Sequence, residues 1–490
     1  MDTATSSFIL QNLPILRDLN HWKYNSLDVV YTFECYKVLS TIIKGKSTRL
    51  QEFHNFQQIE ANKIASILSK RGVRIDLEEK SRLTNQFSNI LETIKTTLTS
   101  IVGETFNPKS PKQLEVLFTK ILDIVPKSNK LGNPSFDYSN MLEYSIEYPL
   151  YKPLILLILE YRSISIFLKN FLQAEVEVDG RIYSAYSVAG TATFRFASRK
   201  NVYGRGANLQ TIPEQGKLDL HYTEELLVST IETETNNFTD EIIGITKLPN
   251  CKTMFLPDPG YILANVDYDS ADARIVAWDS GAAWLMNYFS TSQEKLYIYI
   301  AQMYLQRTIT TDDPWYLKFK RFIHGSHYGA SAGKMAITLG ITLAEATRIQ
   351  KWYFKLNPEI PQWHHRLIST AKAEGYIENV FGGRRNFYNK KDPKIAPQVY
   401  AFIPSSVIAI LVNIGIVNLN KIANFQLLLQ THDSATLQFP MAIPLAIATT
   451  MIKKSMEVEI PYPKPLIIPS DIKFSTTNYG ELKKLESPKI

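Results

Sequence analysis

The sequence predicts an α+β protein, a strand-bearing core that carries two helical subdomains. Three observations point there. Apolar residues recur at helical spacing over 54–70 and 77–100, and a mainly helical block covers about 284–378. Two strand signals flank that block: the apolar run Tyr261 to Val266, and a strand-turn-strand pattern around Asp433. No repeat of solenoid or propeller period is present, so the architecture must come from these local patterns.

The first fifty residues read as short helices. The stretches 54–70 and 77–100 are separated by the turn-like RGVRID and so predict a helical hairpin. In FNPKSPKQLEVLF, Ser110 is placed to cap a helix with Pro111 at its first position and Gln113 at its third, a reciprocal capping box whose N-terminus suits a phosphate. PLILLILEYRSISIFLKNFL is apolar on most faces and predicts a helix packing the α region against the later part of the chain. From Glu175 to Pro213 strand and loop mix, and the polar, acidic stretch 214–250 reads as an inserted loop.

Charge and cysteine content narrow the class only a little. Lys and Arg number 54 against 47 Asp and Glu, a net charge of +7 that suits a polyanionic partner without requiring one. Cys35 and Cys251 alone make neither a disulfide framework nor a cysteine-rich zinc site, so a reducing, cytoplasmic compartment is expected. The start, MDTATSSFIL, lacks a signal-peptide or transit pattern, and no run is expected to reach the ~20 apolar residues of a membrane span.

Three segments hold the chemistry. In YILANVDYDSADARIVAW an apolar strand ends at Asp267 and a helix carrying Asp272, Arg274 and Ile275 begins. Taken alone, Asp267 fits a helix cap as readily as a ligand. In FQLLLQTHDSATLQFP the alternation Ala435, Leu437, Phe439 predicts a hairpin with His432 and Asp433 near its tip, where an Asp also has purely local uses. Brought together, two such carboxylates suit two divalent cations flanking an in-line displacement. Between them, KFKRFIHGSHYG spaces Lys320, His324 and Tyr328 four apart, which puts a cation, an imidazole and a phenol on one helical face.

In this order the segments resemble the family A DNA polymerases: TATFRFAS with NLQTIP, then DYDSADAR, KRFIHGSHYG and QTHDS, with SPKQLEVLF and GYIENVFGGRR as further matches from about residue 55 to 440. The resemblance implies a right-hand polymerase fold, a palm with an antiparallel sheet and helical thumb and fingers. It implies a thumb over 51–172, palm over 173–283 and 388–490, and fingers over 284–387. It implies Mg²⁺, as two ions with Mn²⁺ as a substitute, on Asp267, Asp433 and the Tyr268 carbonyl. It places Lys320 as the catalytic lysine on the triphosphate, with Lys318, His324, Tyr328 and Asp272 around the dNTP. Arg195, Asn208, Gln210, Arg384, Arg385 and His432 fall where the family meets a DNA primer-template.

Departures from the pattern carry information. Asp272 stands where Glu is usual, which puts sugar discrimination in question; Tyr316 stands where an Arg often meets the triphosphate, with Lys318 the nearest replacement. His324 replaces an aromatic residue, as in some phage members, Ser405 falls near a usual Gln, and Ser434 replaces a Glu after Asp433. At the front, HWKYNSLDVVYTFECY resembles the last motif of a 3′–5′ exonuclease, with Tyr24 and Asp28 at its spacing. Residues 1–50 are therefore expected to be a truncated or split remnant of such a domain, with no proofreading by this chain alone and a separate exonuclease polypeptide as a partner. Two rivals stay open at this level: a single-subunit RNA polymerase, against which TATFRFAS, NLQ and Asp272 speak, and a silent DNA-binding scaffold, whose mark would be a lost carboxylate.

Overall fold

The computed structural model describes residues 19–103, 106–129, 131–188, 190–212, 249–389, 395–431 and 433–485. The expected loop at 214–250 thus lies outside the described residues apart from Pro249 and Asn250.

The chain enters through α1 (Leu19–Lys44) and α2 (Thr48–Asn55). Short helices were expected over the first fifty residues, but α1 runs unbroken for 26 residues because no Gly or Pro stands inside it. A π-helical turn (Phe56–Ala61) leads into α3 (Asn62–Arg71), which ends at Gly72 with φ +62°. The segment RGVRID is also corrected: it is not a bare turn but contains β1 (Val73–Ile75). Val73 and Ile75 are both buried, and β-branched side chains alternating toward a core favour a strand over a turn. Asp76 then caps α4 (Leu77–Val102), accepting from the Glu79 N–H at 2.9 Å.

Next come α5 (Pro111–Val116), α6 (Tyr138–Glu147) and α7 (Lys152–Phe167). Ser110 caps α5 as expected, accepting from the Gln113 N–H at 3.4 Å. The return arm differs from a capping box, since the Gln113 side chain accepts from the Asn107 N–H rather than from Ser110. Helix α7 is apolar on most faces because α4 and α6 both pack on it, with Phe87, Ile94, Met141, Ile155 and Ile158 in one core.

The short strands β2 (Arg181–Ile182), β3 (Ala185–Ser187), β4 (Ala197–Arg199) and β5 (Phe255–Leu256) precede the long β6 (Tyr261–Tyr268). Seven helices come next: α8 (Ala271–Ser280), α9 (Ala283–Thr291), α10 (Leu296–Leu305), α11 (Pro314–His327), α12 (Ala332–Leu339), α13 (Leu343–Leu356) and α14 (Glu359–Glu374). After the hairpin of β7 (Tyr376–Glu378) and β8 (Arg384–Asn386) the chain returns through α15 (Ile395–Asn420), β9 (Gln426–Thr431), β10 (Ser434–Pro440) and α16 (Leu445–Met456). It closes with β11 (Glu459–Ile460), β12 (Leu466–Ile467), β13 (Ser470–Ser475) and β14 (Lys483–Lys484).

The main sheet is antiparallel, in the order β14-β13-β6-β10-β9, and β1 sits between β2 and β5 in a smaller one. Register divides the main sheet by chemistry. Val266, Ala264 and Ile262 pair with Ala435, Leu437 and Phe439, and all six are buried. The alternate positions Asn265 and Asp267 face Lys473 and Asp471 of β13, which makes the other face polar.

Against the apolar side lies α15, where the expectation that no run is apolar enough for a membrane span is corrected. It is 26 residues long and passes that test, yet 83% of its apolar stretch is buried among α8, α14, α16 and the sheet. Polar neighbours at both ends masked it in the sequence, and its all-round apolarity is that of a core helix. Leu437→Ala, at a fully buried centre of β10, should lower unfolding free energy by about 2–5 kcal/mol in urea melts.

Candidate active site

The carboxylates of the site stand at or near the ends of elements. Asp267 lies one residue from the end of β6, on the polar face, directly opposite Ser434 and Asp471. Its carboxyl is pushed up to about 6, first by the protein walls that replace water around it and then by the negative charge of Asp433. The Tyr268 N–H bonds Asp267 Oδ1 at 3.0 Å, and the Tyr268 hydroxyl on the other face donates to the Met456 carbonyl at 2.6 Å. This ties the end of β6 to α16.

Asp433 stands in the turn between β9 and β10, closed by a 2.7 Å bond between the Thr431 and Ser434 hydroxyls. Its Oδ1 accepts from Arg195 Nη2 at 2.9 Å. The residue before Arg195, Phe194, has φ +63°, a strained setting for a bulky side chain. It is held there by the rings of Phe53 and Phe402 and by Asn413, which donates to its carbonyl at 3.3 Å.

Both carboxylates line a cavity of about 1770 Å³ whose walls also bear Lys109, Lys252, Lys473 and Gln210. Among the described residues no group of three or more His, Cys, Asp or Glu is placed to hold a metal. Two hard oxygen donors that repel one another suit a hard divalent cation that keeps waters and shares phosphate ligands, the habit of Mg²⁺. Asp267 and Asp433 therefore fit the implied ion.

Helix α11 lies outside the residues that line this cavity; it is capped by Asp313 on the Trp315 N–H at 2.9 Å with Pro314 at its first position. Lys320 is exposed, and the His324 and Tyr328 rings meet edge to face at 4.3 Å. Gly329 comes next at φ +71°, where a Cβ would fall 2.5 Å from the Tyr400 ring, so only glycine lets the chain leave the helix here. Lys318 does not join this face. It is two residues from Lys320, hence on another side of the helix, and its ammonium sits 5.0 Å over the Trp315 ring.

Asp272, in the first turn of α8, joins that helix to the end of α11. Its Oδ2 accepts from the Tyr328 hydroxyl. Burial opposes its charge, but the His324 and His327 imidazoles outweigh burial and hold the carboxyl below the usual range. Burial and the Asp272 charge push the Tyr328 phenol up, while Ser405 and Arg195 act in the opposite sense. Arg195 is thus bonded to Asp433 and near enough to Tyr328 for its charge to act on the phenol.

Other expected contacts are engaged inside the protein. Asn208 accepts from the Ser198 hydroxyl at 2.5 Å, and buried Gln210 donates to the Phe196 carbonyl at 2.9 Å and to Gln430 at 2.6 Å. Arg384 pairs with Glu378 at 2.6 Å and covers the Tyr376 ring; Arg385 donates to Gln398 at 2.6 Å. His432 lies outside the described residues. Tyr24 and Asp28 are exposed on α1, a helix that packs chiefly on α2 and does not bring them to the carboxylate pair. Sequence reasoning missed Asp471, opposite Asp267 but bonded to Lys484 at 2.6 Å, and Tyr353, which meets His327. The alternation of Asp471, Lys473 and Ser475 was a legible strand signal; the role of Tyr353 had none.

Comparison with known proteins gives a consistent answer. A sequence model described as DNA polymerase family A matches residues 77–479. A thermostable DNA polymerase I of Thermus filiformis is 25% identical, over 84% of this chain and 47% of its own length. The DNA polymerase I of Caldicellulosiruptor bescii is 24% identical, over 96% of this chain and 52% of its own. The chain thus spans about half the length of the curated relatives it matches. Among solved structures, the POL domain of Pol1 from M. smegmatis, in complex with DNA primer-template and dNTP, superposes with a TM-score of 0.69 at 20% identity, over 86% of this chain and 70% of that one. That likeness shows the fold, a right-hand arrangement.

Because the folded state raises the Asp267 carboxyl above its ordinary range, ionising it opposes folding. The opposition is absent where folded and unfolded chains both keep the proton, and complete above about pH 6. Asp267→Asn should therefore raise Tm at about pH 8, with the gain fading as pH falls through 6 toward about 4. Melting curves across that range would contradict this if the gain did not depend on pH.

Proposed function

The chain belongs to DNA polymerase family A, and on that premise we propose that it adds deoxynucleotides to a primer 3′-hydroxyl under the direction of a DNA template. One observation carries the reading. Adjacent antiparallel strands bring Asp267 and Asp433 into one cavity, and Asp272, just beyond β6, bonds Tyr328 at the end of the helix that carries Lys320 and His324. Asp267, Asp433 and the Tyr268 carbonyl would hold two Mg²⁺ ions, replaceable by Mn²⁺, which when bound would supply activation of the attacking hydroxyl and stabilisation of the leaving pyrophosphate.

The remaining work belongs to the chain itself. Lys320, exposed on α11, offsets triphosphate charge, and Tyr328 with His324 packs on the sugar and base. Asp272 borders the sugar. Lys318 supports α11 through Trp315 and contributes charge only at longer range. Arg195, Asn208, Gln210, Arg384, Arg385 and His432 track the primer-template, reading backbone and pair shape rather than base identity. The thumb is assigned to 51–172, the fingers to 284–387, and the palm to the segments 173–283 and 388–490.

Two finer readings accompany this one. The His324 variant supports a phage-type source, and with it a host-cell cytoplasmic setting. Tyr24 and Asp28, both exposed on α1, match one motif of a 3′–5′ exonuclease, which supports a chain that does not proofread alone and is completed by a separate exonuclease polypeptide.

Extension of a labelled primer with dNTPs and Mg²⁺ should be robust for the wild type and fall at least about 100-fold in Asp267→Ala and in Asp433→Ala. Folded wild type that binds primer-template without extending it would defeat the reading. On a mismatched primer the chain alone should leave the 3′ nucleotide in place; metal-dependent removal that is lost in Asp28→Ala would reverse that expectation.

A further inference from the structure

His327 is a buried titratable group that the proposed mechanism leaves unused. It sits at the end of α11, next to Tyr328, with a side chain only 1% exposed. Its Nε2 lies 2.7 Å from the Tyr353 hydroxyl on α13, and its own carbonyl is 2.7 Å from His364 Nε2 on α14. Its Nδ1 faces Asp272 Oδ1 at 3.9 Å. Both of those facing atoms are buried and have no hydrogen-bond partner among the described residues, although they differ from a bonded pair by only about 1 Å.

Their chemistry is complementary in only one tautomer. A carboxylate facing Nδ1 favours a proton there, because the alternative would set a lone pair against negative charge. Nε2 then accepts, and the Tyr353 hydroxyl must donate. Burial supports this assignment by holding the His327 imidazole neutral and keeping the Tyr353 phenol protonated. The order Tyr353 to His327 to Asp272 to Tyr328 thus links α13, α11 and α8, with the two Asp272 oxygens addressed from different sides.

We infer that His327 is a positioning residue for sugar selection, acting through Asp272 and anchored by Tyr353. The inference rests on the proposed nucleotide site. An Asp bound only by Tyr328 keeps freedom to rotate about its last torsion; a donor on the second oxygen removes that freedom. The Asp272 and Tyr328 pair then stands as a fixed wall beside the sugar, and the shortness of Asp relative to Glu is compensated from beneath. His324 also approaches Oδ1, at 3.4 Å, but its side chain is 48% exposed and gives a solvent-facing contact, not a rigid one.

The test is single-nucleotide incorporation of a dNTP and of the matching rNTP, with kcat and KM taken separately, beside Tm and primer-template affinity. In His327→Leu the ratio of rNTP to dNTP kcat/KM should rise about 10-fold, the scale of one hydrogen bond. His327→Asn, which puts an amide N–H near the place of Nδ1–H, should restore the ratio to within about 3-fold of wild type. Tyr353→Phe should shift the ratio in the same direction as His327→Leu, and it carries the test if the leucine variant does not fold. A uniform loss on both nucleotides with an unchanged ratio in these variants overturns the inference and leaves the polymerase reading intact. A wild type that extends with neither nucleotide overturns both. Independently of turnover, nitrogen-15 NMR of labelled histidine should find His327 in the Nδ1–H tautomer, and the Nε2–H form would overturn the assignment.

Discussion

The register between β6 and β10 is the constraint from which the site derives. Seven consecutive residue pairs, from Ser434 with Asp267 to Pro440 with Tyr261, hold the two strands together. With β6 held in place, a slip of β10 by one residue would turn Ala435, Leu437 and Phe439 toward the cavity. The apolar face is pinned by α15, whose buried Phe402, Ile403 and Val407 share a core with those strands. Placement of two charges at the cavity floor is therefore enforced by burial of uncharged residues behind them.

That placement has an electrostatic cost, visible in the raised Asp267 carboxyl. Two neighbouring carboxylates at the ends of packed strands cannot move apart without breaking the sheet. Lys473 relieves part of the repulsion at Asp267, and Arg195 bonds Asp433 directly. The strained Phe194 backbone sits one residue from that arginine, which fits the general tendency of strain to gather where a side chain must be aimed.

Helix α11 is joined to β6 and α8 by a shared apolar core that includes Phe319, Phe322 and Ile323, and by polar contacts at Asp272. Asp272 stands five residues after Asp267, so β6 and α8 carry both the cavity floor and the partner of Tyr328. The Tyr328 hydroxyl ties the end of α11 to Asp272, while Arg195 bonds Asp433. Asp272, Tyr328, His324 and His327 are thus parts of one connected set of side chains.

The sequence by itself determined the strand at Tyr261, the hairpin around Asp433, the helical block between them, the Ser110 cap and the helical face of Lys320, His324 and Tyr328. These depend on period and local turn chemistry, which the order of residues contains. Tertiary structure decided the rest. It made RGVRID a strand, because burial of Val73 and Ile75 requires partners more than a hundred residues away. It turned Lys318 onto Trp315, engaged Gln210 with Gln430, and set His327 beneath Asp272. Each of those outcomes depends on which distant side chain occupies the adjoining space, and that is known only once the chain has packed.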